Sequence, residues 1–213
     1  MDFPSPEILN YASQFTTQEP PLLASLNRET WSKVLMPRML SGHIQGRILS
    51  LFSHMIKPSR ILEIGTYTGY SAICLAEGLS KDGQLHTIDL NEELEDMVRH
   101  YFESSPYAHQ LHFHLGNALN IVPTLDESWD LVFIDADKEN YINYFDLIIN
   151  RVRSGGIILA DNVLWSGKVL QSTQQMDVET LALHGFNQYV AQDPRVEALL
   201  FPVRDGLMCL RKI

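Results

Sequence analysis

From residue 59 onward, short and largely apolar runs alternate with stretches of helical character. The run Leu131–Ile134 is continuously apolar and bounded by acids, as is typical of a strand buried on both faces of a parallel sheet. The helical stretches between the runs, such as Glu92–Phe102, predict crossover connections and therefore an α/β fold. Five such strands are predicted: Ile61–Ile64, Leu85–Ile88, Leu111–Leu115, Leu131–Ile134 and Ile157–Ala160.

Two further strands are predicted at the C-terminal end. Arg195–Phe201 and Gly206–Arg211 are joined by the short PVRDG segment, which predicts an antiparallel hairpin at the sheet edge. Val178–Val190, which precedes them, predicts an amphipathic helix. No repeat, low-complexity segment or linker divides the sequence, so we expect one domain over residues 1–213.

Residues 1–58 have a different pattern and predict a helical N-terminal cap on the α/β core of residues 59–213. Ser5–Glu7 supplies a cap and a first-turn proline for one helix, and Gln45–Ile56 predicts a second. The intervening Met36–Gly46 segment allows two interpretations, a lid over a site or an ordinary interhelix loop.

Composition indicates a globular protein without a targeting or membrane segment. The chain has 213 residues, of which 45% are hydrophobic and 20% charged, and the N-terminus lacks the basic and apolar regions of a secretory signal. No apolar run approaches membrane-spanning length, so we expect a cytoplasmic protein. Cys74 and Cys209 are both flanked by apolar residues, which predicts buried free thiols and no disulfide.

The net charge disfavours a nucleic-acid partner. A formal charge of −10 leaves few basic residues to neutralise phosphates. Arg28, Lys33, Arg38 and Arg47 form a local patch only if the fold brings them together, and scattered basic residues are more often solvated.

Polar side chains follow the fourth and fifth strands where each leaves the sheet. Asp135 and Asp137 follow the fourth strand, with Lys138 next, while Asp161 and Asn162 follow the fifth. If these strands are neighbours, Asp135, Asp161 and Asn162 converge, and such oxygens suit a hard divalent cation. Alternatively, each aspartate caps a helix or turns a loop.

The ends of the first three strands suggest a nucleoside-containing ligand. The turn Gly65–Ser71, GTYTGYS, has two glycines without the spacing of dinucleotide-binding loops. Asp89 ends the second strand, where an acid accepts hydrogen bonds from ribose hydroxyls, although Asp89 or Asn91 is equally able to cap the next helix. Gly116–Ala118, at the end of the third strand, is placed to border a flat ring.

Three aromatic residues have both a functional and a structural interpretation. His112 and His114 lie on one face of the third strand, and without an accompanying acid or cysteine a satisfied structural pair is favoured over a metal site. Trp165 follows the fifth strand and is either a wall for a planar substrate or a packing residue.

Four blocks together resemble a known family. They are LEIGTYTGYSA (Leu62–Ala72), HTIDLN (His86–Asn91), VFIDADKENY (Val132–Tyr141) and GGIILADNVLWSG (Gly155–Gly167). In this order they resemble the cation-dependent, S-adenosylmethionine-using O-methyltransferases, the group of catechol and caffeoyl-CoA O-methyltransferases. The terminal DGLMCLRKI is similar to the last strand of that family, which extends the resemblance to nearly the full length.

The resemblance implies a Rossmann-like class I methyltransferase fold, with a seven-stranded sheet, an antiparallel last strand and helices on both faces. It implies that Asp135, Asp161 and Asn162 bind a divalent cation, with Mg²⁺ expected first and Mn²⁺ or Ca²⁺ as alternatives. It implies Lys138 as the general base, with Asp135 also at the reaction centre. The implied S-adenosylmethionine contacts are Ser41, Glu63, Gly65, Tyr67, Ser71, Asp89, Ala118 and Asp135.

The implied reaction is methylation of a hydroxyl on a catechol-like, phenolic small molecule, and the implied assembly is a homodimer. The sequence departs from the family at Gly46–Arg47, where relatives often have Gly-Gln. Three alternatives remain: a transfer-RNA hydroxyuridine O-methyltransferase of the same fold, a nicotinamide oxidoreductase, and a non-catalytic cofactor-binding module. The acidic composition disfavours the first and the Gly65–Gly69 spacing the second. The full set of cation ligands with Lys138 disfavours the third.

Overall fold

A computed structural model describes residues 5–213 of the chain. These residues contain eight α-helices and one seven-stranded sheet. The helices are α1 Pro6–Gln14, α2 Pro21–Lys33, α3 Gly42–Ile56, α4 Tyr70–Ala76, α5 Glu95–Glu103, α6 Ala118–Ile121, α7 Tyr141–Ile148 and α8 Val178–Gln192. The strands are β1 Arg60–Ile64, β2 Gln84–Asp89, β3 Leu111–Leu115, β4 Trp129–Ile134, β5 Val152–Asp161, β6 Val196–Phe201 and β7 Leu207–Lys212.

The strand order in the sheet is β3-β2-β1-β4-β5-β7-β6, with helices packed around it. The pairs β1–β2, β2–β3 and β4–β5 are parallel, whereas β7 runs antiparallel to both β5 and β6. The predicted strands and the antiparallel hairpin are therefore confirmed. The hairpin lies at the sheet edge as predicted, with β6 as the outer strand and β7 between β5 and β6, hydrogen-bonded on both sides.

The fifth strand is longer than its apolar run. It begins at Val152, which pairs with Trp129, and it continues through two glycines before the predicted start at Ile157. An added Cβ at Gly156 would lie 2.7 Å from Val152 Cγ1, so no larger residue fits there. The apolar pattern did not reveal this part of the strand, because glycine has no side chain that would mark a buried position.

The N-terminal region contains three helices where the sequence predicted two. The additional helix is α2, which begins with Pro21 in its first turn. Helix α3 begins at Gly42 and not at Gln45, so part of the Met36–Gly46 segment is helical. The helix can extend here because Gly46 permits close packing on α4, where an added Cβ would lie 2.7 Å from the Tyr70 ring.

Contacts divide the chain into two compact units, residues 7–117 and a second unit dominated by residues 118–213. Helices α2 and α3 thus belong to the same unit as β1–β3, and a single domain over residues 1–213 stays a prediction. Each unit has its own buried core, the first around Leu26, Leu49 and Leu62, the second around Trp129 and Phe186. Within residues 5–213, no helix is both long enough and apolar enough to cross a bilayer.

Candidate active site

The ends of β4 and β5 lie side by side, as the sequence predicted. Ile134 pairs with Ala160 in the parallel register, so the next residues of the two strands, Asp135 and Asp161, are neighbours. Asp161 is 4% exposed. Asn162 follows with φ = 60°, a left-handed conformation that asparagine tolerates better than most residues. The backbone turns there, and the Asn162 side chain joins the two acids at the strand ends.

Lys138 connects these strand ends through its ammonium group. Its Nζ donates to Asp135 Oδ1 at 3.0 Å and to Asn162 Oδ1 at 2.9 Å. A third bond, of 2.8 Å, goes to Tyr141 Oη. The residue is 8% exposed, so its side chain is buried at the strand ends. Three polar partners and one carboxylate charge compensate the burial of the ammonium.

Tyr141 is a site residue that sequence reasoning missed. Its side chain is fully buried, and its hydroxyl lies 3.0 Å from the backbone carbonyl oxygen of Asp161. Burial, reinforced by the negative charges of Asp135 and Asp161, raises the pKa of Tyr141 well above its ordinary value. The hydroxyl therefore stays protonated. Its spacing of three residues from Lys138 was the available signal, because residues one turn apart share a face.

Asp137, the second acid after β4, is not part of this cluster. Its carboxylate accepts hydrogen bonds from Tyr144 Oη and Asn140 Nδ2 at the start of α7. Burial and the Asp137 charge raise the pKa of Tyr144. The two acids thus differ in role: Asp135 contacts Lys138, whereas the Asp137 carboxylate binds two side chains and makes no capping hydrogen bond to the backbone.

The loop after β5 places an aromatic ring beside Lys138. Lys138 Nζ lies 5.6 Å from the centroid of the Trp165 ring, within cation–π range. Trp165 and Ser166 have φ values of 48° and 53°, which are uncommon for residues other than glycine. Within residues 5–213, the buried indole Nε1 has no hydrogen-bond partner.

The β6–β7 turn fixes this loop in place. The backbone N–H of Leu164 donates to the Asp205 carbonyl at 2.9 Å, and the N–H of Ser166 donates to the Asp205 carboxylate. Burial raises the pKa of Asp205, although the Ser166 N–H and the positive charge of Lys138 oppose this shift. Gly206 has φ = 86°, and an added Cβ there would lie 2.5 Å from Leu164 Cγ. Asp205 and Gly206 were not predicted as site residues, because their partners are about 40 residues away in sequence.

In the unit of residues 7–117, the predicted cofactor residues surround the turn between β1 and α4. Gly65 has φ = 102°, and its N–H donates to the Ile88 carbonyl at 2.9 Å. Gly69 has φ = 88°, and an added Cβ would lie 2.7 Å from the Phe102 ring. Both glycines are therefore required by backbone geometry. Tyr67, between them, is also left-handed, with φ = 51°.

The acid that ends β2 holds this turn through its carboxylate. Asp89 accepts from Tyr67 N at 2.7 Å and from Asn91 N at 2.9 Å. Asn91 is the helix cap, since its Oδ1 accepts from Glu93 N at 3.0 Å. Of these two residues, Asn91 therefore caps the following helix, and Asp89 holds the β1–α4 turn. A ribose contact of Asp89 stays a prediction.

The other predicted cofactor residues lie in β1, in α4, at the start of α6 and immediately before α3. Glu63 is fully buried and accepts a hydrogen bond of 2.5 Å from Thr87 Oγ1. Ser71 in α4 and Ala118 at the start of α6 are each 5% exposed. Ser41 immediately precedes α3 in a helical conformation. The cofactor contacts of these residues stay predictions.

The possible lid is attached to the β1–α4 turn. Tyr67 Oη donates to the Met36 carbonyl at 2.9 Å, and Pro37–Met39 forms one 3₁₀ turn. The exposed fractions are 41% for Met36 and 58% for Met39, large values for apolar side chains. The two interpretations of this segment, a lid and an ordinary loop, both stay open.

The histidines of β3 form a structural group with a third histidine from β2. His86 Nδ1 and His114 Nε2 are 2.9 Å apart, and the His86 ring stacks on His112 with centroids 4.9 Å apart. Burial, together with the two neighbouring imidazoles, lowers the pKa of His86 to about 4. No group of three or more His, Cys, Asp or Glu residues between 5 and 213 has an arrangement that holds a metal. The mutual contacts of the three imidazoles favour the structural interpretation.

The two cysteines and the basic residues singled out in the sequence do not form a further functional site in the described residues. Cys74 is buried and Cys209 half-buried, both are free thiols, and burial raises both pKa values, which suppresses thiolate chemistry. Two of the four basic residues considered as a patch are paired with acids, Lys33 with Glu29 and Arg47 with Glu77.

The chain matches a known protein family over almost its whole length. The O-methyltransferase family model matches residues 13–213. The chain belongs to this family. This membership excludes the nicotinamide oxidoreductase alternative, and it confirms the resemblance inferred from the four sequence blocks.

Relatives and solved structures agree with the assignment. The chain is 33% identical over 207 residues to caffeoyl-CoA O-methyltransferase 5 of Nicotiana tabacum, covering 92% of this chain and 86% of the relative. It is 28% identical to the structure of the O-methyltransferase TomG of Streptomyces achromogenes in complex with SAM, with a TM-score of 0.89 and coverage of 97% and 96%. A Bacillus cereus O-methyltransferase in complex with SAH is 29% identical, with a TM-score of 0.87 and 97% coverage of both chains.

Proposed function

We propose that this protein transfers a methyl group from S-adenosylmethionine to one hydroxyl of a catechol-like small molecule, with a divalent cation held by Asp135, Asp161 and Asn162. The observation that carries the proposal is the buried lysine at the strand ends. Lys138 Nζ lies 3.0 Å from Asp135 Oδ1 and 2.9 Å from Asn162 Oδ1, at the edge where α/β sheets bind ligands.

The donor set fits a hard cation. Oxygens from Asp135 and Asn162 already converge on one positive charge, the Lys138 ammonium, and the Asp161 carboxylate follows the neighbouring strand position. Two carboxylates and one amide oxygen are ligands that Mg²⁺ accepts, with remaining positions left for water or substrate oxygens. Mn²⁺ and Ca²⁺ are the alternatives. When bound, the cation would orient two vicinal oxygens and lower the pKa of the reacting hydroxyl.

The β1–α4 turn fits a nucleoside-containing cofactor. Gly65 carries no side chain at the end of β1, which favours close approach of a ligand, and the Asp89 carboxylate ends the next strand. Similar solved structures were determined with SAM or SAH, which supports the same ligand here. S-adenosylmethionine supplies an electrophilic methyl group. The residues proposed to hold it are Ser41, Glu63, Gly65, Tyr67, Ser71, Asp89, Ala118 and Asp135.

Lys138 is the proposed general base. Its Nζ is fixed by three hydrogen bonds and lies beside the Trp165 ring, where a flat phenolic substrate would stack. The unpartnered indole N–H of Trp165 offers a donor to such a substrate. Lys138 acts as a base in its neutral amine form: the ammonium first releases one proton to solvent, and the lone pair of Nζ then takes the proton of the reacting hydroxyl. Holding the reactants in this way can lower the activation free energy by on the order of 7 to 11 kcal/mol.

The substrate class follows from the same features and from the relatives. The tobacco relative is named for caffeoyl-CoA, whose caffeoyl group carries vicinal hydroxyls. Catechols, flavonoid-like phenols and hydroxycinnamoyl esters therefore form the proposed substrate set. We also propose a homodimer, which sedimentation velocity would test.

The testing experiment measures methyl transfer from labelled S-adenosylmethionine to catechols and caffeoyl derivatives, first with Mg²⁺ and then with excess chelator. We expect transfer to vicinal diols only, and we expect it to stop with chelator. Equal rates with and without chelator would remove the cation from the proposal. Cofactor binding without transfer to any diol would favour the RNA substrate or the binding module, and unmodified RNA substrates serve as the next panel.

A further inference from the structure

The Tyr141 hydroxyl has a fixed hydrogen-bond direction. It has one proton, and the two backbone carbonyl oxygens near it, Asp161 O at 3.0 Å and Ile134 O at 3.5 Å, are acceptors only. The Lys138 ammonium, at 2.8 Å, is a donor only. Tyr141 therefore donates to the Asp161 carbonyl and accepts from Lys138, which links the lysine to the backbone at the end of β5.

This hydroxyl is held rigidly. The Tyr141 side chain is fully buried, and its ring packs edge-on against Phe186 of α8 with centroids 5.4 Å apart. The residue begins α7, three positions after Lys138, so helix geometry also fixes the separation of the two side chains. The lysine is flexible by comparison, with four rotatable side-chain bonds.

The partners of Lys138 differ in what else they are proposed to do. Asp135 and Asn162 are proposed cation ligands, so their oxygens would be shared with the cation. The Tyr141 hydroxyl donates its proton to the Asp161 carbonyl and is not a proposed cation ligand. It is thus the Lys138 partner that remains available when the cation ligands are engaged.

We propose that Tyr141 is a positioning residue for methyl transfer, which holds Lys138 Nζ at the reacting hydroxyl while Asp135 and Asn162 bind the cation. This inference rests on the proposed function of Lys138. Tyr141 acts through Lys138 and touches no substrate atom itself. A displacement of the base by about 1 Å is enough to lower a rate about a hundredfold.

The test compares Tyr141→Phe with Tyr144→Phe. Both residues lie in α7 and both are buried, but the Tyr144 hydroxyl donates to Asp137 and not to Lys138. Phenylalanine keeps the ring contact with Phe186, so the fold should persist in Tyr141→Phe. We expect kcat to fall by ten- to a hundredfold in Tyr141→Phe, with KM for catechol and the Mn²⁺ affinity within about twofold of wild type. Tyr144→Phe should keep the wild-type kcat.

A double variant separates positioning from a general structural effect. Because Tyr141 acts through Lys138, Tyr141→Phe should cause no further loss of rate in a Lys138→Met background. Equal fold-losses in both backgrounds, or the same loss in Tyr144→Phe, would overturn the proposal.

A second readout does not depend on the methyl-transfer reaction. The rate at which an amine-acylating reagent modifies Lys138, followed by peptide mass spectrometry with Mg²⁺ present, should rise at least about threefold in Tyr141→Phe and stay unchanged in Tyr144→Phe. An unchanged rate in both variants would overturn the positioning role. If the wild-type protein methylates no diol, the proposed function fails while this labelling rate still decides whether Tyr141 holds Lys138.

Discussion

Replacing Glu77 with alanine should lower the stability of the protein, because it leaves the largely buried charge of Arg47 unpaired. The Glu77 carboxylate accepts from Arg47 Nη1 at 2.8 Å and Nη2 at 2.7 Å, and from Ser50 Oγ at 2.5 Å. The exposed fractions of the Arg47 and Glu77 side chains are only 16% and 14%. Burial alone would lower the pKa of Arg47, but the hydrogen bonds and charge of Glu77 raise it above its ordinary value.

The expected loss follows from what Arg47 keeps after the substitution. Its Nε already lacks a hydrogen-bond partner in the described residues, and its remaining polar contact is the weak one to Cys74 Sγ at 3.6 Å. Removing one partner of a buried ion pair leaves an uncompensated charge and costs about 3 to 5 kcal/mol of unfolding free energy. For a chain of this size, the cost corresponds to a decrease in Tm of roughly 6 to 20 °C.

The assay is urea unfolding followed by circular dichroism, with Glu95→Ala as the matched control. Glu95 also pairs with an arginine, Arg99, at 2.7 Å, but these side chains are 31% and 50% exposed. A solvent-exposed helical pair of this kind contributes about 0.3 to 0.5 kcal/mol. Both variants remove the same carboxylate from an Arg–Glu pair, so the difference between them measures the effect of burial.

The double substitution Arg47→Met with Glu77→Leu completes the test. Replacing both charges with apolar groups of similar size should recover most of the lost stability, because the penalty arises from the unpaired charge. If Glu77→Ala costs no more than Glu95→Ala, the argument from burial is refuted. If the double variant is as unstable as Glu77→Ala, packing and not charge explains the loss.

Other consequences of the structure are directly measurable. Asp161→Ala should abolish cation-dependent methyl transfer while the calorimetric Kd for S-adenosylmethionine stays within about twofold, and parallel loss of cofactor binding would contradict its role as a cation ligand. Gly78→Ala should lower the unfolding free energy by about 1 to 3 kcal/mol, because the added Cβ would lie 2.2 Å from the Ser53 backbone carbon. Gly185→Ala is the control: its added Cβ would meet nothing within 4 Å, so the unfolding free energy should rise by about 0.5 to 1 kcal/mol. Because the folded pKa of His86 is lowered from 6.5 to about 4, the unfolded state binds the extra proton, so stability should fall as pH decreases from 6.5 towards 4. The unfolding free energy should decrease by roughly 1 to 2 kcal/mol over this range, because solvent screens the partly exposed His86. If a His86→Gln variant showed the same pH dependence of stability as the wild type, this assignment to His86 would be refuted.

The position of the candidate site was predictable because it depends on local signals. Apolar runs locate the strands, and the carboxyl ends of neighbouring parallel strands meet at one edge of the sheet. Asp135, Asp161 and Asn162 were therefore identified before any contact was known. The confirmed β4–β5 register shows that this inference needed only strand boundaries and adjacency.

The detailed chemistry of the site was not predictable in the same way. Whether Lys138 is exposed or buried depends on the packing of the first turn after β4 and on the loop after β5, and both are set by distant residues. The Asp205 carboxylate that fixes Ser166 lies 39 residues further along the chain. No hydrophobic period encodes such a contact, because it is a single polar pair between two turns.

The sequence by itself determined the α/β class, the seven strands and the acids at the strand ends, since these follow from side-chain periodicity, and the family was indicated by the resemblance of four sequence blocks. Only the tertiary structure decided the burial of Lys138, its bond to Tyr141, the ion pair of Arg47 with Glu77, and the addition of His86 to the histidines of β3. Each of these depends on how closely and in which register separate elements pack. That information lies in long-range contacts, whereas strand and helix patterns are local properties of the chain.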